Sequence, residues 1–283
     1  IRVLYLIPLG PMDASSESSS DEAKPEQRVR DAAAETLWTW ACLPDSADAR
    51  HRFDDHASDS LACTVGGRRF RVAQNRARQG ELGVTGCCVW DAAVVLARYL
   101  EWCEELRSSG RCAEEAAADL DAVFGRRCLE LGAGCGLLGL AAAALGGLVT
   151  LTDREETISL LERNTADFIQ EHCQKSSSIS SRPRRKNGKA PALGTATAPC
   201  AEEAPRAALL DWSEPVDEQL LDSPDEKFEV ILAADCLYSL DGAEALASVV
   251  NQLCHGEGVA TSARVLLAQE LRAPEATGLG FRV

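Results

Sequence analysis

A glycine-rich segment, LELGAGCGLLGL at residues 129–140, is the first stretch of the chain whose residue types suggest ligand binding. It follows a short apolar run and precedes an alanine-rich one, which predicts a tight turn between a buried strand and a helix. Such a turn lets the backbone approach a ligand closely, and the free N–H groups at the helix start carry a partial positive charge. The segment therefore predicts a cofactor loop, although a turn that only packs helix on strand has the same pattern.

Two cofactors fit this loop. Gly134, Gly136 and Gly139 have the spacing of the dinucleotide fingerprint, and Asp153 lies about 20 residues on, where a ribose-binding acid belongs. S-adenosylmethionine is the alternative, because it has no pyrophosphate and needs only a loop that passes beside it. Asp153 would accept hydrogen bonds from the ribose in both cases, so the loop leaves an NAD-dependent oxidoreductase and a methyltransferase open.

Asp235 and Tyr238 stand three residues apart, just past another apolar run. Asp153 and Trp212 also close runs of the strand type. Because ligands bind outside the carboxyl ends of the strands in an open α/β sheet, we expect these four side chains to meet at one edge. There Asp235 can compensate an ammonium group and Tyr238 can flank it. Asp235 could also merely cap the next turn, and Tyr238 could be a packed residue with its hydroxyl at the surface.

The elements that must position these residues alternate between strands and helices. Apolar runs typical of strands lie at residues 126–131, 148–153, 207–212, 227–235 and 263–270, with helical segments after most of them. This alternation predicts an α/β fold in which helices cover a parallel sheet. Upstream, LACTVGGRRFRVAQ predicts a β-hairpin, and VWDAAVVLARYLEWCEEL repeats its apolar residues at helical spacing.

Low-complexity segments set the domain boundaries. Residues 1–60 are rich in Ser, Asp, Glu and Ala, and we expect a largely disordered extension there. Residues 61–283 form the predicted catalytic domain. Its series of elements is interrupted at residues 174–205, which predict a disordered insertion containing the basic stretch RPRRK.

Composition excludes several function classes. The net charge of −15 and the pI of about 4.8 argue against nucleic-acid binding. Twelve cysteines without a CxxC pair, and four histidines without an HExxH set, predict no structural metal and a reduced, cytoplasmic environment. The longest apolar run, residues 137–149, is shorter than the roughly 20 residues of a spanning helix, so no membrane association is expected. RPRRK is a candidate nuclear-import patch, although a solvated basic loop fits it as well.

Six motifs in a fixed order decide between the two cofactors. The chain contains VWDAAVVLARYLE, LELGAGCGLLGLAAAALG, VTLTD, LLERN, LLDW and ILAADCLY. This series resembles the seven-strand class I methyltransferases. Within them it is similar to the protein-lysine methyltransferases of the methyltransferase-like 21 group, which includes the enzyme acting on valosin-containing protein. The resemblance runs from about Phe70 to Arg272, outside the insertion. It implies a Rossmann-like sheet, S-adenosylmethionine as cofactor, and a protein substrate methylated on a lysine.

The resemblance also implies roles for individual residues. Trp90 would lie against the methionine end of the cofactor, Asp153 would hold the ribose, and Trp212 would pack beside the adenine. Asp235 and Tyr238 match the family's Asp-x-x-Tyr motif at the substrate lysine. The remaining implied cofactor contacts are Gly132, Ala133, Gly134 and Ala234. Cys135 stands where the family usually has Thr. Trp90 would equally suit a core position, and Trp212 could be a plain anchor at the end of a strand.

The C-terminal end of the sequence keeps a third function class open. The family normally continues after the fifth strand with a helix and a closing antiparallel hairpin, whereas this chain stops at Val283. We therefore expect the C-terminal hairpin to be missing, which would suit a non-catalytic interaction protein that retains the fold. An oxidoreductase would need neither Trp90 nor Trp212. We expect a monomer.

Overall fold

The computed structural model describes residues 58–78, 81, 84–109, 123–172, 204–220, 227–255 and 263–270. Most of the predicted N-terminal extension, nearly all of the predicted insertion at 174–205, and the segment after residue 270 lie outside these residues. The domain boundaries and the missing C-terminal hairpin therefore stay predictions.

Five parallel strands form the central sheet, in the order β5-β4-β3-β6-β7. Their bounds are β3 Arg127–Leu131, β4 Leu148–Asp153, β5 Arg206–Leu209, β6 Val230–Ala234 and β7 Arg264–Ala268. The chain builds outward from β3 through β4 to β5, then returns to place β6 on the other side of β3. This reversal of direction creates a crevice at the carboxyl ends of β3 and β6, where such sheets bind ligands. The predicted parallel sheet is confirmed.

Successive side chains of each strand point alternately into two separate cores. The strands are buried on both faces, which explains why their sequences are continuous apolar runs. In β3, Cys128 faces a core built with the first three long helices, whereas Leu129 and Leu131 face a core built with the later ones. The helices are α1 Asp91–Ser109, α2 Leu137–Ala144, α3 Glu155–His172, α4 Val216–Leu220 and α5 Leu240–His255. Helices thus cover both faces, as predicted.

The short helix α4 is the element that the sequence analysis missed. Its signals are weak but present: Pro215 stands directly before the helix, and Asp217 and Glu218 lie in its first turn. With five residues it is too short for apolar periodicity to reveal it.

The predicted hairpin is confirmed as an antiparallel pair, β1 Ser60–Val65 and β2 Arg68–Ala73. Gly66 and Gly67 both have positive φ, at 56° and 73°, as the tight turn requires. Phe70 of β2 packs edge-on against Phe168 of α3, with ring centroids 5.3 Å apart. This contact fixes the hairpin to the helix that follows β4.

Candidate active site

The loops that follow β3, β4, β5 and β6 surround one cavity of about 410 Å³. This volume falls in the range of small-molecule and cofactor sites. The cavity is lined by all nine residues singled out in the sequence, namely Trp90, Gly132, Ala133, Gly134, Asp153, Trp212, Ala234, Asp235 and Tyr238. The structure therefore brings the whole predicted set together, while the role of each residue stays a prediction.

The glycine loop, residues 132–136, passes so close to its neighbours that side chains are excluded at Gly132 and Gly134. Gly134 has φ 55°, and a β-carbon there would lie 3.0 Å from the carbonyl oxygen of Gly86. A β-carbon at Gly132 would lie 3.4 Å from the Trp212 ring and 2.9 Å from the Cys236 sulfur. The backbone of the loop is thus exposed to the cavity between the two walls formed by Gly86 and Trp212.

Asp153, at the end of β4, holds the glycine loop as well as facing the cavity. Its Oδ2 accepts the Gly134 N–H at 2.6 Å, and its Oδ1 accepts the Arg154 N–H at 2.7 Å and the Thr157 hydroxyl. A carboxylate has about four acceptor positions, so these three donors leave room for one ligand hydroxyl. Two ribose hydroxyls would require the Thr157 hydroxyl to turn away.

Two tryptophans line the cavity from different sides. Trp90 directly precedes α1 and its indole N–H donates to the Thr85 carbonyl at 3.0 Å, which fixes the ring against the loop of residues 84–89. Trp212 follows β5 and lies beside Gly132. Both tryptophans are half-buried and line the cavity, and Trp212 also packs against the core built with the later helices.

Two buried amides tie the hairpin to the cavity walls, a connection that the sequence analysis did not predict. Asn164, in the LLERN motif of α3, accepts the Ala73 N–H at 2.9 Å and donates to the Cys135 carbonyl at 2.8 Å. Gln74 accepts the Val89 N–H at 2.8 Å. Asn164 thus links the end of β2 to the glycine loop, and Gln74, which directly follows β2, holds the loop before α1.

Asp235 occupies an unusual backbone position directly after β6. It is buried, and among the described residues it is the one non-glycine with a positive φ, 58°. Its Oδ1 accepts the Gln269 Nε2–H at 2.7 Å and the Glu270 N–H at 3.2 Å. At the start of α5 the Gly242 N–H is bonded by the Ser239 hydroxyl instead, at 3.1 Å. The two Oδ1 contacts tie the Asp235 carboxylate to the segment that follows β7.

Tyr238 lies on the rim of the cavity and is 43% exposed. A packed tyrosine with only its hydroxyl in water would be far less accessible, so the packing interpretation is not supported. The neighbouring Leu240 is 60% exposed. Ser239 and Asp241 also line the cavity on this side, so its rim is of mixed polarity.

Glu130 also lines the cavity, although the sequence analysis assigned it no role. It is the buried penultimate residue of β3, and its Oε2 accepts the Gly139 N–H of α2 at 2.8 Å. Burial raises the pKa of this carboxyl to about 8, although the hydrogen bond from Gly139 opposes the rise. The sequence does offer one indication of this site, because a glutamate stands inside an otherwise apolar strand. A glutamate is rarely fully buried unless it has a partner.

The cysteines around the cavity are packing residues. Burial raises the pKa of the Cys135 and Cys236 thiols far above the ordinary value, so both stay neutral and unreactive. The Cys135 thiol donates to the Gly86 carbonyl at 3.4 Å, which gives the residue that departs from the family's usual Thr a hydrogen bond of its own. Within the described ranges, no group of three or more His, Cys, Asp or Glu side chains could hold a metal ion. No helix of that same part of the chain is both long and apolar enough to cross a membrane.

The sequence model of a lysine methyltransferase family matches residues 73–182 and 196–277. The chain belongs to this lysine methyltransferase family. Protein N-lysine methyltransferase METTL21A of Danio rerio is 31% identical over 213 residues, 75% of this chain and 72% of that protein. METTL21A of Mus musculus is 31% identical over 68% of this chain and 63% of its own length. EEF1A lysine methyltransferase 3 of Xenopus tropicalis is 25% identical over 80% of this chain and 74% of that protein.

Among solved structures, the glycopeptide N-methyltransferase MtfA in complex with S-adenosylmethionine has a TM-score of 0.28 and 19% identity, covering 53% of this chain and 50% of its own. Family membership confirms the predicted methyltransferase and the predicted cofactor, S-adenosylmethionine, over a nicotinamide cofactor. The family match omits residues 183–195, which lie within the predicted insertion.

Proposed function

We propose that the protein transfers a methyl group from S-adenosylmethionine to a lysine side chain of another protein, in the cavity at the carboxyl ends of β3 to β6. The observation that carries this proposal is the convergence of the nine predicted residues on that cavity in a chain of the lysine methyltransferase family. The names of the relatives support a protein substrate, since METTL21A and EEF1A lysine methyltransferase 3 are both named for lysine methylation.

The residues present fit the cofactor. The cavity of about 410 Å³ suits an adenosyl group with an amino-acid arm, and the bare glycine backbone leaves space beside the Trp212 ring. Asp153 has an acceptor position for a ribose hydroxyl, Trp212 offers a face for the adenine, and Trp90 borders the methionine end. When bound, S-adenosylmethionine supplies an electrophilic methyl carbon on a sulfonium.

The chain's own task is to deliver a neutral, aligned lysine nitrogen. The unperturbed pKa of lysine is about 10.4, so the ammonium must lose a proton to solvent before the nitrogen can attack. Passage into a narrow, partly apolar channel lowers that pKa, because burial disfavours the charged form. We propose that Asp235 attracts and orients the incoming ammonium and that the Tyr238 ring flanks its carbon chain. Alignment of the nitrogen with the methyl carbon then provides most of the rate gain, without a strong base.

We further propose that the protein acts as a monomer in the cytoplasm, with entry to the nucleus as a second possibility through RPRRK. The eight described cysteines are free thiols, which supports a reducing environment. The net charge of −15 supports a protein rather than a nucleic-acid substrate.

Methyl transfer can be tested by incubating the purified protein with labelled S-adenosylmethionine and a cell lysate, then mapping the labelled residue by mass spectrometry. We expect label on lysine side chains of a small number of proteins, and much less label with the Asp153→Ala variant when S-adenosylmethionine is limiting. Calorimetry should show binding of S-adenosylhomocysteine and none of NAD. Binding of S-adenosylhomocysteine without any labelled protein would favour a non-catalytic interaction protein, and label on a small molecule would exclude the protein-substrate class.

A further inference from the structure

The turn after β6 needs support from outside itself. Asp235 has φ 58°, a left-handed conformation that a residue with a side chain adopts rarely and keeps only where surrounding contacts hold it. Tyr238 follows three residues later and is 43% exposed, so packing alone is a weak constraint on its position. The contacts that hold this turn therefore decide where the proposed lysine-binding side chains stand.

One side chain, Gln269, bonds the turn at two points. It directly follows β7 and is itself buried. Its Nε2 donates to Asp235 Oδ1 at 2.7 Å, and its Oε1 accepts the Leu237 N–H at 2.9 Å. Because a backbone N–H can only donate, the Leu237 contact fixes the oxygen end of the amide, and the nitrogen end must face Asp235.

The chemistry of this position selects an amide. The side chain must donate to a carboxylate at one end and accept from a backbone N–H at the other, which a neutral carboxamide does. A carboxylate could keep the second bond but would face Asp235 with a like charge, and an aliphatic side chain could make neither bond. Backbone contacts from the same segment add to the support, since the Asp235 N–H donates to the Ala268 carbonyl at 2.8 Å.

We propose that Gln269 is a positioning residue for lysine methylation, which holds the Asp235 carboxylate and the backbone of the Tyr238 turn in the arrangement that receives the substrate lysine. The proposal rests on the proposed function of this cavity. Gln269 does not belong to the cavity lining, so it acts through Asp235 and Leu237 and touches neither cofactor nor lysine. Its loss should therefore affect the lysine side of the reaction and spare cofactor binding.

The test compares Gln269→Ala and Gln269→Glu with the parent, using a substrate protein or peptide labelled by the parent. We expect Gln269→Ala to lower kcat/KM for the lysine substrate about tenfold or more, because a hydrogen bond to a buried charged group is lost. The Kd for S-adenosylhomocysteine should change less than about twofold. A matched control is Gln252→Ala, which removes another glutamine that accepts a backbone N–H, from Val216 at 3.1 Å, outside the cavity. It should leave both quantities unchanged.

Gln269→Glu adds a readout that a merely structural role would not produce. The new carboxyl can still accept the Leu237 N–H, but it must share one proton with Asp235 to keep the contact between them. At low pH the shared proton preserves the geometry, and at high pH the two charges repel. The ratio of variant to parent kcat/KM should therefore fall as pH rises, and taking the ratio removes the titration of the lysine itself.

Three results would overturn the proposal: kcat/KM of Gln269→Ala within about twofold of the parent, equal losses in cofactor affinity and methylation, or a pH-independent activity ratio for Gln269→Glu. Hydrogen exchange at the Leu237 amide serves as a measurement independent of activity. Exchange should be faster in Gln269→Ala and near the parent rate in Gln269→Glu at low pH, and unchanged protection in both would equally overturn the proposal. A parent that labels no lysine contradicts the proposed function instead, and amide exchange then decides the positioning role alone.

Discussion

The loop after β3 and the turn after β6 border the same cavity, but different interactions hold them in place. The glycine loop is fixed from several elements at once, by Asp153 of β4, by Asn164 of α3 and by close contact with Gly86. The turn after β6 depends largely on residues 268–270 at the end of β7, and it presents Tyr238 to solvent. In the proposed function the first region holds the cofactor, whereas the second admits a lysine side chain of another protein. We therefore expect substitutions in the first region to weaken cofactor binding and substitutions in the second to slow the reaction.

The largest effect is expected at Gly134. A β-carbon there would meet the Gly86 carbonyl oxygen at 3.0 Å, against backbone that cannot rotate away, and φ is 55°. Gly134→Ala should reduce affinity for S-adenosylhomocysteine by about a hundredfold or more, measured by calorimetry. Gly67→Ala is the matched control, because φ there is 73° but a β-carbon would meet nothing within 4 Å. It should leave affinity unchanged and lower Tm slightly. Equal affinities in the two variants would show that the close approach to Gly86 does not matter.

Asp153→Ala should weaken cofactor binding by about tenfold or more, because it removes a charge-assisted hydrogen bond to the ribose and releases the Gly134 N–H. Thr157→Val tests how many ribose hydroxyls Asp153 accepts. If two hydroxyls bind, the Thr157 hydroxyl competes with one of them, and its removal should leave affinity unchanged or improve it. Both variants can be measured by calorimetry after circular dichroism has shown that they fold. Unchanged affinity in a folded Asp153→Ala protein would mean that Asp153 is not the ribose ligand.

The contacts that hold these two regions also show which features could be predicted from the sequence and which could not. Strand periodicity and turn residues predicted the hairpin, the parallel sheet and its major helices, since each depends on local pattern. The ordered motifs predicted which residues meet at the cavity. They could not reveal that Asp153 bonds Gly134, that Asn164 joins Ala73 to the Cys135 carbonyl, or that Gln269 bonds Asp235. Those partners lie 19 to 91 residues apart in the chain, and no local signal marks either member of a pair.

At the turn after β6, Asp235→Asn removes the negative charge of the side chain but keeps its shape. The amide oxygen can still accept the Gln269 and Glu270 N–H groups, so the turn should stay in place. Loss of the negative charge should reduce kcat/KM for the lysine substrate about tenfold, with less effect on S-adenosylhomocysteine binding. Radiolabel transfer and calorimetry on the same preparation give both numbers. A folded variant that methylates as well as the parent would rule out charge compensation by Asp235. A loss confined to cofactor affinity would show that Asp235 contributes to cofactor binding instead.

For Glu130, on the cofactor side of the cavity, the expected effect is on the free energy of unfolding rather than on binding. Its pKa rises from 4.5 to about 8 on folding, so the folded state holds this proton more tightly. The resulting stability is complete below about pH 4.5 and is lost as pH rises towards 8, at up to about 1.4 kcal/mol per pH unit. Glu130→Gln keeps an acceptor for the Gly139 N–H and has no proton to lose. Urea unfolding between pH 5 and 8.5 should therefore show a variant that gains on the parent as pH rises. Parallel pH dependences would mean that Glu130 does not hold a proton in the folded state.

The smallest effect is expected from Tyr238→Phe. The residue is 43% exposed, so its hydroxyl is hydrated and its removal leaves no buried group without a partner. The phenylalanine ring keeps the aromatic wall beside the lysine chain, and methylation should fall only about threefold with unchanged cofactor affinity. Tyr238→Ala removes the wall as well and should cost several times more, mainly as a higher KM for the substrate. The pair is best compared by steady-state kinetics on one substrate protein. If Tyr238→Phe proves as damaging as Tyr238→Ala, the hydroxyl rather than the ring contacts the lysine, and the rim is less open in the substrate complex than in the free protein.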